Sequence, residues 1–303
     1  MSNKIYEEVF ETFKNKSKWK NWGLFFSLAF VVVLLWINTK YKVFAFNTNN
    51  DYEFPQLRIL TWNICGSNIE NEKVQEEIAR LVIAQDADFI QLNEFTLDSC
   101  LVIDSLLSEH YPYREDVNAK IRAGDIFYSK TPLVESGKYK TSIIYKDVQA
   151  LQSKIVTNRD TIFIIGCHFW GNNHQGQIGV DSTDSISKVK TFWGRYRKAQ
   201  IKRNEDISNI KKTILECQLP VILMGDMNDF NASAPMDSLK DAGMKNAWWE
   251  GGLGYGATYH EGWLRLRIDH IYYCNKLKLE DVKVVHTNLS DHNLLIADFS
   301  IAK

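Results

Sequence analysis

Ten short runs rich in β-branched and aromatic residues dominate the chain after residue 55: Leu57 to Trp62, Asp88 to Leu92, Ile126 to Ser129, Ser142 to Tyr145, Ser153 to Val156, Thr161 to Phe169, Pro220 to Gly225, His270 to Cys274, Val282 to His286 and Leu294 to Ile301. Between them stand two helical stripes with spacings of three and four. One is Val74, Ile78, Leu81 and Gln85; the other is Phe192, Tyr196, Ala199, Arg203, Ile207, Ile210 and Ile214. Some connections are hairpin-short and others helical. This combination predicts an α/β body made of two packed mixed sheets flanked by helices. Arg203 on the inward stripe reads as a paired structural arginine.

A different pattern precedes that body. From Asn21 to Thr39 there is no charged residue, and Trp22 to Ile37 is apolar on every helical face. At 1.5 Å per residue the stretch spans roughly 28 Å, and Trp22 and Trp36 stand where an aromatic belt belongs. The expectation is one transmembrane helix over 21–39. The alternative is a cleaved signal peptide ending in Val43-Phe44-Ala45, but Lys40 and Lys42 intervene and the cleavage point lies well beyond the run. Lys14, Lys16, Lys18 and Lys20 before the run, against Lys40 and Lys42 after it, place residues 1–20 as a cytoplasmic tail at an inner or plasma membrane. Residues 40–55 read as a polar tether, and 56–303 as one extracytoplasmic catalytic domain with the bilayer as partner through 21–39. No protein partner is predicted, and a monomer is expected.

The chain has 36 basic and 37 acidic residues. Removing the seven lysines and five acids of residues 1–55 leaves 29 basic and 32 acidic residues, a net of −3, for the body. Bulk electrostatic binding of nucleic acid is disfavoured by that balance. The five cysteines, Cys65, Cys100, Cys167, Cys217 and Cys274, are widely spaced and contain no C-x-x-C pair, which excludes a disulfide scaffold and a cysteine zinc site.

Polar residues gather at the ends of the predicted strands. Asn63 follows Leu60-Thr-Trp62, Glu94 follows Asp88 to Leu92, and His168 lies in Ile162 to Trp170. Asp226 and Asn228 follow Val221 to Gly225, Asp269 opens the strand to Cys274, and Ser290-Asp-His292 precedes the last strand. Gly225-Asp-Met-Asn228 has a plain turn as its alternative, but extended residues two apart point the same way, so Asp226 and Asn228 would converge. Asp291 cannot easily orient its neighbour His292, because adjacent residues on extended chain face opposite sides. Asp269 is the candidate to fix that imidazole, leaving Asp291 for a cation. Glu94, Asp226, Asp269 and Asp291 with Asn63 and Asn228 are hard oxygen donors suited to Mg²⁺ or Mn²⁺, and His168 and His292 add proton-transfer capacity. Phosphoester hydrolysis needs this set.

At these residues the chain resembles the endonuclease/exonuclease/phosphatase (DNase I-like) superfamily. The motifs, in order, are Thr61-Trp-Asn63, Leu92-Asn-Glu94, Cys167-His168, Gly225-Asp-Met-Asn228, Arg267-Ile-Asp-His-Ile271 and Ser290-Asp-His292. Gly254-Tyr-Gly-Ala-Thr-Tyr259 and Leu264-Arg-Leu-Arg-Ile-Asp269 further resemble a membrane-anchored bacterial, Bacteroidetes-like subgroup. The resemblance implies a DNase I-like four-layered α/β sandwich. It also implies Asn63, Glu94 and Asp291 at the metal, Asp226 and Asn228 on the attacking water and a phosphate oxygen, His292 with Asp269 as acid/base or phosphate contact, and His168 at the transition state or leaving group. Asn93 departs from the glutamine frequent before the glutamate, a change expected to matter little. No equivalent of the tyrosine or arginine used by some DNA-repair members can be placed.

The expected function is membrane-anchored, divalent-metal-dependent phosphoester hydrolysis. Nucleic acid, phospholipid and inositol phosphate all stand as substrates; the alternatives are a nonspecific endonuclease or exonuclease, a lipid phosphodiesterase, or a catalytically silent binding domain. Gly251 to Gly256 follows no dinucleotide-type strand and reads as a mobile loop beside the site. Trp170, Trp248, Trp249 and Trp263 read as packed or as an apolar rim, and His174 and His260 as polar loop residues.

Overall fold

The structure, a computed structural model, describes residues 26–39, 43–47, 55–65, 69, 71–117, 124–139, 150–157, 160–171 and 185–302. The chain divides into two units, Met1–Val43 and Phe44–Lys303. In the first, residues 26–39 form helix α1, with Phe26, Phe30 and Trp36 exposed. Among the described residues no helix is long and apolar enough to cross a membrane. The transmembrane helix expected over 21–39 is thereby corrected: at 1.5 Å per residue the described helix reaches about 21 Å, short of a hydrocarbon layer of about 30 Å. Residues 21–25 lie outside the described residues, as do the 1–20 tail and most of the tether. The bilayer partner, the inner or plasma membrane location and the extracytoplasmic placement rested on that span and are corrected with it.

The second unit is a sandwich of two six-stranded sheets. Its elements begin with β1 (Ala45–Phe46), β2 (Leu57–Asn63), α2 (Glu72–Ile83), β3 (Phe89–Asn93), α3 (Leu101–His110), β4 (Tyr113–Val117), β5 (Asp125–Ser129), β6 (Leu133–Tyr139), β7 (Ala150–Val156) and β8 (Thr161–His168). They continue with α4 (Ser185–Glu216), β9 (Val221–Asp226), α5 (Ala234–Asp241), β10 (Lys245–Asn246), α6 (Ala247–Gly251), β11 (Leu253–Gly254), β12 (Tyr259–Glu261), β13 (Leu264–Leu266), β14 (Asp269–Tyr273), β15 (Leu277–Val285) and β16 (Leu294–Ile301). One sheet runs β15-β16-β2-β3-β5-β4 and the other β10-β14-β9-β8-β7-β6. Each has one parallel pair, β2 with β3 and β8 with β9, joined by a crossover containing α2 or α4. The carboxyl ends of these parallel strands are where open α/β sheets place ligands.

The central strands, such as β3, β5, β9 and β14, are buried on both faces, so they read as nearly unbroken apolar runs. Alternation sends Ile59, Phe89, Ile164 and Met224 into the core between the sheets. It sends Leu60, Ile90 and Ile126 outward under α2 and α3, whose Ile78, Val82, Ile103 and Leu107 cover them. On the other side Ile165, Phe169 and Leu223 meet Ile207 and Ile210 of α4 with Met236 and Leu239 of α5. Helix, sheet, sheet, helix is the order of layers, and the sandwich expectation stands without its membrane prefix. The run at Ser142 to Tyr145 lies outside the described residues.

Two local readings change. The glycine-dense segment is pinned rather than mobile, since Leu253 and Gly254 pair with Phe46 and Ala45. Gly256, at φ +63°, leaves no room for a Cβ against the Trp248 indole. The sequence reading also missed β4, whose Arg114, Glu115 and Asp116 form an edge strand with the charged composition that edges favour.

Gly225 closes β9 at φ +130°, where a Cβ would overlap the Cys167 carbonyl oxygen of the neighbouring strand. Gly225→Ala is therefore expected to lower unfolding free energy by about 3 kcal/mol or more. Urea denaturation measures it; a loss within a few tenths would contradict this close approach.

Candidate active site

Six strands bring the polar ends together at one mouth. Asn63 ends β2 and Asn93 ends β3, with Glu94 next to it; Asp125 opens β5, His168 ends β8, Asp226 ends β9 and Asp269 opens β14. Parallel pairing sets Asn63 opposite Asn93 and His168 opposite Asp226, while antiparallel pairing sets Asp269 opposite Asp226. Three chain exits here are held in the left-handed region: Cys65 at φ 51°, Glu94 at 56° and Asn228 at 52°. Each costs about 1 kcal/mol or more and persists only because its surroundings over-determine it.

Asn63 is the hub of the acidic side. Its Nδ2 donates to Glu94 Oε1 and to Asp226 Oδ2, both at 3.0 Å, while its Oδ1 accepts the Cys65 amide. Asp226 Oδ1 accepts the Asn228 amide at 2.8 Å, and Asn228 Nδ2 donates to the Phe169 carbonyl at 2.9 Å. Asn228 thus ties the exit of β8 to the exit of β9.

On the other side His292 Nδ1 lies 2.8 Å from Asp269 Oδ2, with both residues buried. Burial alone would lower the imidazole, but Asp269 first, then Asp226 and Asp291, hold its pKa up at about 10. His292 Nε2 points back to Asp226 Oδ2 at 3.9 Å. Asp226 is raised, chiefly by burial and then by the charge of Asp269. The dyad is framed by backbone: Trp62 Nε1 donates to the His292 carbonyl, and the Ser290 hydroxyl donates to the Asn63 carbonyl. Thr258 Oγ1 accepts the amides of Ile268 and Asp269.

His168 stands between the two groups. Its Nε2 is 3.9 Å from Glu94 Oε1 and 3.8 Å from Asp226 Oδ2, and its Nδ1 is 3.8 Å from Asp125 Oδ1. Burial opposes its charge, yet Asp125, Asp226 and Glu94 together hold its pKa above the ordinary imidazole value. Asp125 itself is pushed up to about 6 by burial, offset in part by His168 and Asn93.

The structure therefore gathers Asn63, Glu94, His168, Asp226, Asp269 and His292, with Asn228 and Asp291 on the adjoining loops. Asp226, Asp269 and His292 offer ligand atoms within 4.8 Å of one another. Asp269 Oδ1 is buried without a hydrogen-bond partner among the described residues. An orphaned carboxylate oxygen among further acids fits a divalent cation, so the group forms a site that can bind one. His270, the neighbour of Asp269, plays a different part: burial pushes it down to about 3, and it packs neutral against Asn246 and the Asp229 carbonyl.

Sequence reasoning missed Asp125, although it carries the signal that singled out Asp269, an acid opening an apolar strand. Thr258, Tyr259 and Asp229 were missed too, because their partners come from distant strands. Arg203 is fully buried, with Nε donating to the Trp170 carbonyl and a terminal nitrogen 3.4 Å from Asp229, as the paired reading expects. Trp248 is buried, whereas Trp263 is 91% exposed. His174 lies outside the described residues.

Residues 60–292 match the model described as Endonuclease/Exonuclease/phosphatase family. No curated protein matches the sequence. Among solved structures, humanized TDP2 of D. rerio is similar at 14% identity, with TM-score 0.61 and coverage of 80% of this chain and 98% of that one. The 3′ phosphatase NExo from Neisseria, bound to product DNA hairpin, has 15% identity, TM-score 0.59 and coverage of 80% and 99%. An endonuclease/exonuclease/phosphatase from Bacteroides vulgatus has 15% identity, TM-score 0.61 and coverage of 81% and 99%. Fish, Neisseria and Bacteroides proteins thus stand at one level, and among the described residues no helix is long and apolar enough to cross a membrane. The membrane-anchored, Bacteroidetes-like subgroup is corrected to the superfamily alone.

Because the folded pKa of His292, about 10, exceeds the ordinary 6.5, its pairing stabilises fully below about pH 6.5 and is lost as pH rises toward 10. In chelator, Asp269→Asn is expected to cost more stability near pH 6 than near pH 9.5. Urea denaturation at both values tests this; an equal cost at both would refute a charged dyad.

Proposed function

The chain belongs to the Endonuclease/Exonuclease/phosphatase family and is a metal-dependent hydrolase of phosphoester bonds, and from that premise we propose that it hydrolyses nucleic-acid phosphoesters with Mg²⁺ or Mn²⁺. The observation that carries this reading is the buried Asp269–His292 pair facing Asp226. A cation bound beside Glu94 and Asn63 would supply Lewis-acid polarisation of a phosphoryl oxygen. Asn63, Glu94 and Asp291 are the residues assigned to hold it. In support, one Asn63 nitrogen holds the carboxylates of Glu94 and Asp226 close together, a repulsive arrangement that a cation relieves.

The remaining roles belong to side chains. His292, kept protonated by Asp269, donates Nε2–H to a non-bridging phosphate oxygen. Asp226 accepts a hydrogen bond from the attacking water and orients it, and Asn228 positions Asp226 through its amide. His168, whose charged form is opposed by burial but favoured overall by the surrounding acids, delivers a proton to the leaving oxygen. Asp226 takes the water's proton and His168 gives one to the leaving oxygen, so the two transfers are assigned to different side chains. We take residues 56–303 as the catalytic domain. The substrate class is supported by the similar 3′ phosphatase, whose structure holds a DNA hairpin product.

Purified protein is expected to cleave a 3′-phosphorylated or internal phosphodiester of a labelled oligonucleotide with Mg²⁺ and to lose that activity in chelator. Asp226→Ala and His292→Ala should each lower kcat by about a hundredfold or more. Activity that survives either substitution unchanged would remove these residues from the reaction.

A further inference from the structure

We infer that an anion-binding subsite built from His260, Arg265 and His286 lies on the reverse face of the β12–β13 hairpin and holds a backbone phosphate of the nucleic-acid strand away from the one being hydrolysed. The inference rests on the phosphoesterase reading for its substrate. Its geometry is independent of the dyad.

The hairpin is attached to the active site through Tyr259, whose ring lies edge-on to His292 with centroids 5.0 Å apart, and through a bridge between those two residues. Successive residues of an extended chain face opposite ways. His260 and Asn293, one position further on, therefore turn away from the dyad. Arg265 is the direct cross-strand partner of His260, so both share that reverse face. Here a cavity of about 240 Å³ is bounded by His260, Arg265, His286, Thr287, Asn288 and Asn293.

The walls are held by backbone. The His260 amide donates to the Asp291 carbonyl at 2.7 Å and the Asn293 amide to the Thr258 carbonyl at 2.6 Å. The Asn293 side chain is fully engaged, accepting the Thr287 amide and donating to the Ala257 carbonyl. Arg265 NH1 donates to the carbonyls of Gly262 and Leu264, which fixes the guanidinium on its own turn.

The chemistry of the lining selects the occupant. Two imidazoles, one guanidinium, a hydroxyl and two amides line it, and none of its described lining residues is acidic, although acids outnumber bases in the body. A guanidinium beside two imidazoles repels a metal cation and matches the acceptor oxygens of a phosphate. His260 Nε2 is buried without a hydrogen-bond partner among the described residues, so the fold leaves that ring with unused capacity. Contacts of this kind set the register of a strand without reading its bases.

The test uses the full chain in chelator, with a short fluorescent oligothymidine followed by anisotropy across a salt series. Arg265→Gln and His286→Gln are exposed changes, each expected to weaken binding about tenfold, and Arg265→Gln, which removes a charge, to lower the logarithmic salt slope by about 0.7 as well. Arg265→Lys should retain most of the slope. Unchanged affinity and slope in both Gln variants overturn the subsite, as does a wild-type chain that does not bind the oligonucleotide. Mg²⁺-dependent hydrolysis of bis(p-nitrophenyl) phosphate by the wild-type chain scores the phosphoesterase reading separately. Absence of that hydrolysis beside the expected binding losses would remove the activity and keep the anion site.

Discussion

Asn93 binds the two sheets of the sandwich to each other at its mouth. Its Nδ2 donates to Asp125 within its own sheet and to the Cys167 carbonyl of the opposite sheet. Its Oδ1 accepts the Asp226 amide from that opposite sheet. Gln91, two residues earlier on the same face, adds a donor to the same Cys167 carbonyl. Asn63 adds a bond to Asp226 across the sheets and Ser136 one to Glu115; between these points the sheets meet through apolar side chains, which set distance and leave sliding cheap. Directional bonds fix register. The departure from glutamine at Asn93, expected to matter little, is thus where the two halves of the site are held together.

Like charges crowd this mouth and explain its composition. Glu94, Asp125, Asp226 and Asp269 approach two histidines inside a poorly solvated cleft. Burial raises Asp125 and Asp226, and the acids jointly raise His168 and His292. Such mutual dependence means that no member has a fixed protonation state independent of the others. It also explains why strained exits at Glu94 and Asn228 are tolerated, since strain is one way to hold charges where solvation alone would part them.

How much of this could be read from residues alone differs by element. Strands buried on both faces announced themselves, because Val221 to Gly225 or Ile162 to Phe169 admit few other readings. The closeness of Asp269 and His292 was legible from a negative argument, that Asp291 cannot turn toward its own neighbour. Asp125 opens an apolar strand as Asp269 does, but it was not singled out, because its partner His168 lies across the sandwich and only the fold brings the two together. The charge-free run misled for a physical reason: hydropathy reports what a segment tolerates, whereas spanning requires a helix long enough to cross. The glycine-dense loop misled in the same way, its composition permitting mobility that pairing with β1 removes.

The place of β16 has a bearing on how the active site comes into being. It inserts between β15 and β2, so a strand near the end of the chain pairs with the first long strand of the sandwich. The loop that leads into it carries His292, whose carbonyl is caught by Trp62. A growing polypeptide that has already made Asn63, Glu94, His168 and Asp226 still lacks the imidazole that pairs with Asp269. Pairing β16 with β2 closes a long loop in sequence, the kind of contact whose entropy cost must be met before it is rewarded. The Asp269–His292 pair is thus tied to the most sequence-distant pairing of its sheet.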